Sequence, residues 1–266
     1  MAALSTEIEL PRPVDVLGLP IRPLRTAALI ELLLARAKSR TATTVCYANA
    51  HTVNLACRDG RFRETLAGCD LLYADGASLV WASRWSERRL PERMTAADYF
   101  ERFARRCAEE GLSLYLLGGR PGVTETAAAR LRETMPDLKV VGTHHGFFAP
   151  AESARVVAEI NKAGPDVLAV GLSSPRQEFW LSENRDALRT PIRWCVGALY
   201  DYLARLERRA PAWLCRIGGE WLFRLLVDPV GKWRRYVIGN PLFVWHTLCW
   251  GMRRMPGREA EPSSPP

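Results

Sequence analysis

The sequence predicts a doubly wound α/β fold, in which a mostly parallel β-sheet has helices on both faces and a helical C-terminal appendage follows. Short runs that are apolar at nearly every position alternate with longer runs whose apolar residues recur every three or four positions. Continuous apolar runs are typical of strands buried on both faces of a parallel sheet. Alternation of this length predicts a Rossmann-like sheet domain. After Tyr202 the alternation ends, which predicts a different kind of segment there.

The elements follow from the N-terminal end in this order. The stretch "VDVLGLPI" predicts a small hairpin around Gly18, and a helix follows near residues 24–38. Six strands are predicted at 43–49, 70–75, 112–119, 139–148, 166–173 and 193–199. Five helices are predicted between them, at 52–68, 96–111, 123–135, 153–164 and 176–188. Gly111 and Gly164 lie where two of these helices should end.

The last quarter of the chain differs from the rest in charge and composition. Between Arg205 and Arg258 there are eleven Arg and Lys and three acids, a net of +8 that equals the net charge of the whole 266-residue chain. Five of the nine tryptophans lie there, and three prolines should divide it into short helices: Trp213, Trp221, Trp233, Trp245, Trp250, Pro211, Pro229 and Pro241. We predict a sheet domain over 1–204, a basic helical appendage over 205–252 and a disordered tail over 253–266.

The appendage has three interpretations: a solvated helical face, a nucleic-acid patch or a membrane-surface binder. Tryptophan interleaved with arginine favours the membrane surface, because indole lies at the headgroup level while guanidinium meets anionic lipid. Nucleic acid stays open as an alternative at this point.

The cysteines and the N-terminal sequence indicate the cellular compartment. The seven cysteines show no CxxC pairing, which is typical of a reducing compartment. The N-terminus carries Glu7, Glu9 and Asp15 where a signal peptide would be basic and then apolar, and no 18-residue apolar run occurs. We expect a cytoplasmic protein that is neither secreted nor membrane-spanning.

In a doubly wound sheet, ligands bind at the carboxyl ends of the strands, so the residues that follow the predicted strands are the candidates. They are Tyr47, Asn49, His51, Asp75, Gly76, Gly118, Gly119, His144, His145, Gly171, Gly197, Asp201 and the stretch 173–178.

Asp75 directly follows a predicted strand and precedes a different pattern, "GASLVWASRW". A carboxylate at a strand tip in the crevice suits a general base. The alternative is that Asp75 caps the next helix, which aspartate does well.

Three other observations limit the chemistry. "LLGGRPGVTET" is similar to a phosphate-binding turn but lacks G-x-G-x-x-G, which disfavours a nicotinamide site and leaves a plain strand-to-helix turn as the alternative. His144 and His145 would point to opposite faces of a strand and should not share a metal ion. No D-x-D occurs in the chain. We predict no metal and no cofactor, so that arginine, lysine and backbone N–H groups would have to neutralise any diphosphate.

Eight separated motifs resemble those of the WecG/TagA/CpsF bacterial glycosyltransferases. They are "NAHTVNLA", "YADGASLVW", "ERMTAADYF", "LLGGRPGV", "VGLSSPRQEFWL", "CVGALYDYLA", "RRAPAWL" and "GEWLFRLLVDPVGKWRRY", in the family's order and spacing from about residue 14 to 243. The resemblance implies an inverting, metal-independent transferase. Members move a sugar from a UDP-sugar to a glycan on undecaprenyl diphosphate, at the cytoplasmic membrane face, during surface polysaccharide synthesis.

The resemblance also implies roles for individual residues. Asp75 matches the family's proposed catalytic base, Arg93 an arginine near the diphosphate or acceptor, and Gln177 a glutamine near the reacting sugar. Arg224 matches an arginine of the appendage that reaches over the site and holds the leaving diphosphate. The substrate-binding set implied by these motifs is Tyr47, Asn49, Thr95, Gly118, Gly119, Gly171, Glu178 and Arg224. The implied partners are the UDP-sugar, the polyprenyl-diphosphate acceptor and the membrane surface, without nucleic acid; homo-oligomerisation is left open.

Three positions depart from the family pattern. Tyr47 replaces a frequent threonine, Gly231 replaces a frequent arginine, and "TAAD" replaces the commoner "TGSD". The donor is therefore left open among N-acetylhexosamine, its uronic acid and glucose. Two other classes compete: a non-catalytic basic adaptor acting through 205–258, and a nucleotide-dependent oxidoreductase, which the glycine pattern disfavours.

Overall fold

The computed structural model describes residues 10–254, apart from the side chains at positions 212 and 216, and six parallel strands form its main sheet. An antiparallel hairpin comes first, formed by β1 (Val14–Val16) and β2 (Leu19–Ile21). The main sheet contains β3 (Thr43–Ala48), β4 (Leu71–Ala74), β5 (Ser113–Gly118), β6 (Lys139–His144), β7 (Val167–Gly171) and β8 (Ile192–Cys195). Their spatial order is β4-β3-β8-β7-β5-β6. The predicted α/β fold is confirmed. Of the predicted disordered tail, residues 253–254 are helical and residues 255–266 lie outside the described residues.

Thirteen α-helices lie in the described part of the chain. The first nine are α1 (Thr26–Lys38), α2 (Ala50–Arg58), α3 (Gly60–Ala67), α4 (Ala77–Ala82), α5 (Ala96–Glu109), α6 (Val123–Thr134), α7 (Ser153–Ala163), α8 (Arg176–Glu183) and α9 (Leu199–Leu203). The C-terminal segment contains α10 (Ala212–Arg216), α11 (Glu220–Val227), α12 (Pro229–Trp233) and α13 (Gly239–Arg254), with a π-helical turn at Arg234–Ile238. None of the described helices has the length and apolar character needed to cross a bilayer.

Two apolar layers cover the two faces of the sheet. Residues of α1, α5, α6 and α9 pack on one face, around the fully buried Trp194 of β8. Residues of α2, α3, α7 and α8 pack on the other face, together with the hairpin. Five of the six strands are buried at nearly every position, which explains their near-continuous apolar runs, whereas β6 at the sheet edge exposes Lys139 and Val141.

Three helix predictions were wrong in detail, and the strands predicted at 139–148 and 193–199 end earlier, at His144 and Cys195. The helix predicted at 52–68 is two helices, because Asp59 has extended dihedrals and its side chain accepts a hydrogen bond from the Phe62 N–H, which starts α3. The helix predicted to end at 188 ends at Glu183, and the Asn184 side chain donates to the Trp180 carbonyl there. Pro241 does not separate two helices, since it lies in the first turn of α13, where proline is tolerated.

The C-terminal segment packs against the sheet domain. The Asn54 amide nitrogen, on α2, donates to the Gly239 carbonyl at the start of α13 over 2.7 Å. The Trp81 and Phe243 rings lie 6.4 Å apart between centroids. Arg209 pairs with Asp98 of α5. The segment is therefore docked through polar and apolar contacts; its division from the sheet domain as a separate unit stays a prediction.

The topology opens a crevice at one edge of the sheet. β3 and β8 are parallel neighbours, but the chain leaves β3 toward α2 on one face and leaves β8 toward α9 on the other. In such sheets the ligand site lies outside the carboxyl ends of the strands at this switch.

Candidate active site

Two adjoining cavities fill the crevice and share six residues: Asn49, His51, Asp75, Thr95, Arg224 and Arg235. The first cavity extends beneath the C-terminal segment, reaching Glu220, Trp221 and Tyr236. The second extends over the ends of β7 and β8, reaching Ser173 and Gly197. The site is therefore composite, with its floor on the sheet edge and part of its wall on the C-terminal segment.

The backbone around Asp75 is fixed by two neighbouring segments. Its N–H donates to the Ala48 carbonyl over 2.7 Å, and Asp75 forms a parallel bridge with Met94. The following N–H, of Gly76, donates to the Met94 carbonyl over 2.7 Å. Gly76 has φ +85°, in the region that favours glycine, so the chain turns sharply away and leaves the carboxylate at the strand tip.

The Asp75 side chain lines both cavities and accepts a hydrogen bond from the Asn49 amide nitrogen over 3.0 Å. No side chain caps α4, whose N-cap residue is Gly76. The alternative interpretation, that Asp75 caps this helix, is therefore wrong. Among the side chains that the structure describes, no Arg, Lys or His nitrogen lies within 4.0 Å of its carboxylate.

Burial raises the pKa of Asp75 above its usual value, because desolvation disfavours the charged form. The Asn49 hydrogen bond and the positive charges of Arg224 and Arg235 lower the pKa in the opposite direction. A carboxylate with a raised pKa is a stronger base than a free one, provided that it stays ionised at the working pH.

Asn49 performs two tasks that need opposite hydrogen-bonding groups. Its carbonyl oxygen caps α2 by accepting from the N–H groups of His51 and Thr52, over 3.0 and 3.1 Å. Its amide nitrogen donates to Asp75. Only a side chain with both an acceptor and a donor can do this, whereas aspartate would place two carboxylates together.

The arginines predicted from the sequence reach the cleft, but both are engaged with carboxylates. Arg224 donates through Nε and Nη2 to Oε1 of Glu220, over 3.1 and 2.6 Å. Arg93 donates to the Thr95 hydroxyl over 3.0 Å and to Asp98 over 2.6 Å, and its Nη1 lies 3.7 Å from Oε2 of Glu220. Glu220 thus lies between the two guanidinium groups and links the sheet domain to α11.

His51 lines both cavities at the start of α2. Burial and the positive charge of Arg235 lower its pKa to about 4, so its imidazole is neutral at neutral pH. A neutral imidazole can donate one hydrogen bond and accept another.

Gln177 and Glu178 lie beneath the cleft and not on its surface. The Gln177 side chain is fully buried; its nitrogen donates to the Tyr47 hydroxyl over 3.1 Å, and its oxygen accepts from the Gly197 N–H over 3.1 Å. The Glu178 carboxylate is also buried and accepts from Ser174 and Gln177. Tyr47 and Gly197 line the second cavity. The geometry favours a positioning role for Gln177 over direct contact with a substrate.

Of the predicted glycines, one allows two strands to pack closely and two line a cavity. A Cβ atom on Gly118 would lie 2.3 Å from the Gly171 carbonyl oxygen, so glycine there allows β5 and β7 to approach at their ends. Gly119 and Gly171 line a third cavity with Arg120, Arg176 and Asp201. This cavity shares Ser173, Gly197 and Ala198 with the second cavity, so the two are adjacent.

Some residues of the site were missed by the sequence reasoning. Arg235, Glu220 and Tyr202 line the cleft but were not selected. Two of them lie within the quoted stretch "GEWLFRLLVDPVGKWRRY", and its density of charge was the available signal. His144 Nδ1 contacts the His145 carbonyl over 2.6 Å, and no group of three metal-ligating side chains occurs in the described part of the chain.

A polar cleft at the switch point of a doubly wound sheet, with a carboxylate facing several arginines, is the arrangement of an α/β enzyme that handles anionic substrates. A comparison with protein families specifies the class: the model of the glycosyl transferase WecG/TagA/CpsF family matches residues 14–257. The chain belongs to this family of glycosyltransferases. Site roles for single residues remain predictions.

Proposed function

We propose that this protein is an inverting, metal-independent glycosyltransferase that moves a sugar from a UDP-sugar to a glycan carried on a polyprenyl diphosphate. One observation carries the proposal: the Asp75 carboxylate lies in a cleft shared with Arg224 and Arg235 and forms no ion pair with any side chain in the described part of the protein. The sugar transferred would be an N-acetylhexosamine, its uronic acid or glucose, in bacterial surface polysaccharide synthesis.

Asp75 would act as the general base. An acceptor hydroxyl attacks the anomeric carbon, the bond from that carbon to the UDP oxygen breaks, and the hydroxyl proton passes to the carboxylate. Attack from the face opposite to UDP in one displacement inverts the anomeric configuration. The Asn49 hydrogen bond would hold one carboxylate oxygen in place. The second oxygen is then left to take the proton.

The leaving diphosphate needs positive charge in place of a metal ion. Arg93 and Arg224 present guanidinium groups at the first cavity, and a guanidinium fork matches phosphate oxygens. Arg120 and Arg176 offer further cations in the third cavity. Gln177 would support the same pocket from below by fixing Tyr47 and Gly197.

The acceptor would arrive on a membrane surface. The C-terminal segment exposes large apolar side chains beside its arginines, among them Trp213, Ile217, Leu226, Val230 and Trp245. Exposed apolar groups of this density on a basic segment fit the interface of an anionic bilayer. Since the same segment forms a wall of the first cavity, the lipid-linked acceptor would enter from that side. We propose the inner face of the cell membrane as the location.

The experiment is a panel of UDP-sugars against synthetic polyprenyl-diphosphate monosaccharides, read by mass spectrometry. We expect one pair to give an acceptor heavier by one sugar residue, with UDP released only when the acceptor is present, and with inverted anomeric configuration by NMR. Equal UDP release without acceptor would identify a hydrolase, and the absence of product from every pair would contradict the proposal.

A further inference from the structure

Arg235 lies at the junction of the two cavities on an anchored turn. It belongs to the π-helical turn Arg234–Ile238, in which the Gly239 N–H donates to the Arg234 carbonyl. The Gly239 carbonyl accepts from Asn54 of α2, and the neighbouring Tyr236 is buried. The turn is therefore held from both sides, and Arg235 lines both cavities that share Asp75.

The other two arginines of the cleft are already bound to carboxylates. Arg224 donates twice to Glu220, and Arg93 donates to Asp98. Arg235 is exposed, and within residues 10–254 no carboxylate oxygen lies within 4.0 Å of its guanidinium. It offers a full set of donors to a ligand at the cleft.

The charges around the cleft favour an anionic ligand. Arg93, Arg224 and Arg235 carry three positive charges, Glu220 offsets one of them, and Asp98 is balanced by its pair with Arg209. With the proposed base Asp75 ionised, one net positive charge remains. A diphosphate esterified at both ends carries one negative charge on each phosphate and would be attracted to this cleft.

We propose that Arg235 is a direct ligand of a substrate diphosphate in this cleft, an inference that rests on the proposed glycosyl transfer. Its planar fork can donate two hydrogen bonds to phosphate oxygens. Both the UDP-sugar and the lipid-linked acceptor contain a diphosphate, and Arg235 lines the cavity on each side of Asp75. The shared chemistry is the diphosphate, and the test separates its two sources.

The test compares Arg235→Gln with Arg234→Gln in the full-length protein. Arg234 is the matched control: it is also exposed, its guanidinium stacks 5.4 Å from the centroid of the Trp233 ring, and it lines none of the three cavities described above. Both changes remove one positive charge from the same turn, so both variants lose the same long-range attraction for anions.

By calorimetry with inorganic pyrophosphate, we expect Arg235→Gln to weaken binding about tenfold or more and Arg234→Gln to have little effect. Arg235→Lys, which keeps the charge but not the fork, should give an intermediate loss.

The same variants are titrated with UDP and UMP, and with farnesyl diphosphate and farnesyl monophosphate. A loss specific to UDP assigns Arg235 to the donor, and a loss specific to farnesyl diphosphate assigns it to the acceptor. Equal affinities of the two glutamine variants for every diphosphate would overturn the inference. A wild-type protein that binds none of these diphosphates would overturn the proposed function with it.

A second measurement checks the position of Arg235 without using activity or substrate. Because its positive charge lowers the pKa of His51, Arg235→Gln should raise the His51 pKa measured by NMR, and Arg234→Gln should change it less. An unchanged His51 pKa in Arg235→Gln would place the guanidinium away from the cleft and contradict the proposal.

Discussion

Asp75 and Asn49 form a hydrogen-bonded pair in the cleft. Asn49 caps α2 with its oxygen and fixes Asp75 with its nitrogen, so one residue couples the start of a helix to the carboxylate on the neighbouring strand tip. The hydrogen bond favours the ionised carboxylate, whereas burial disfavours it. The basicity of Asp75 is therefore set by two opposing local effects that mutation can separate.

We expect Asn49→Ala to move the acid limb of the kcat/KM pH profile to higher pH. The hydrogen bond lowers the pKa of Asp75, so its loss raises that pKa, and the base is then protonated at a higher pH than in the wild type. The profile is measured with the donor and acceptor pair found in the panel.

Thr52→Val is the matched control for this change. Its hydroxyl forms the other half of the same cap, accepting from the Asn49 N–H over 2.7 Å, but it does not contact Asp75. Both variants should lose about 1 kcal/mol of unfolding free energy, as for other lost caps. Only Asn49→Ala should shift the acid limb of the pH profile. An equal shift in both variants would mean that loss of the helix cap, and not loss of the hydrogen bond to Asp75, causes the shift.

Helix α13 is held on α2 partly by one side-chain hydrogen bond to the backbone. The Asn54 amide donates to the Gly239 carbonyl over 2.7 Å, and Asn54 is itself buried. His51 lies at the start of α2, and α13 follows the turn that contains Arg235. The hydrogen bond between these two helices therefore connects the two walls of the cleft.

We expect Asn54→Ala to lower the hydrogen-exchange protection of the amides in 239–254 by about tenfold, which corresponds to loss of one buried hydrogen bond. Asn161→Ala is the control, since Asn161 makes a similar bond of 2.8 Å to the Ala187 carbonyl, in a different part of the molecule. Protection in 239–254 that falls equally in both variants would mean that this bond does not hold α13 in place.

Five of the six strands could be predicted from the sequence because burial on both faces makes each of them a nearly continuous apolar run; the edge strand β6 is the exception. The carboxyl ends of parallel strands meet at one edge of the sheet, so the grouping of Asp75, Asn49 and Tyr47 could also be predicted from the sequence. The break at Asp59 could not be predicted, because a cap inside a periodic helical stretch depends on one side-chain hydrogen bond. The burial of Gln177 was missed for a similar reason, since a first-turn helix position is usually exposed.

Arg235 and Glu220 could not be selected because they reach the cleft through tertiary docking. Nothing in the spacing of a basic helical segment specifies which of its charged residues faces the sheet domain. That choice depends on contacts such as Asn54 with Gly239, between residues far apart in the chain.

At the scale of the whole molecule, the apolar exposure concentrates in the C-terminal segment. Trp245 is 63% exposed, in a segment that also holds Trp213 at 63% and Val230 at 85%. Burial of an indole at a lipid interface would recover the free energy that its exposure to water costs. A membrane-bound state would therefore be favoured by the same side chains that are unfavourable in water.

We expect Trp245→Ala to weaken sedimentation of the protein with anionic phospholipid vesicles several-fold, and high salt to weaken binding further, because lipid charge is screened. Phe147→Ala is the control: Phe147 is 67% exposed but follows β6 in the sheet domain. Equal losses in both variants would argue against a membrane-binding face on the C-terminal segment.

The central claim is that the Asp75 carboxylate takes the proton of the acceptor hydroxyl, and the turnover of Asp75→Asn tests it most directly. Asparagine keeps the shape but cannot accept that proton, so we expect kcat to fall by roughly 10²–10⁴-fold with UDP affinity retained. Because the raised pKa means that the fold disfavours the charged carboxylate, the variant should be at least as stable as the wild type above that pKa. Turnover close to that of the wild type, in a variant that binds UDP normally, would contradict the account.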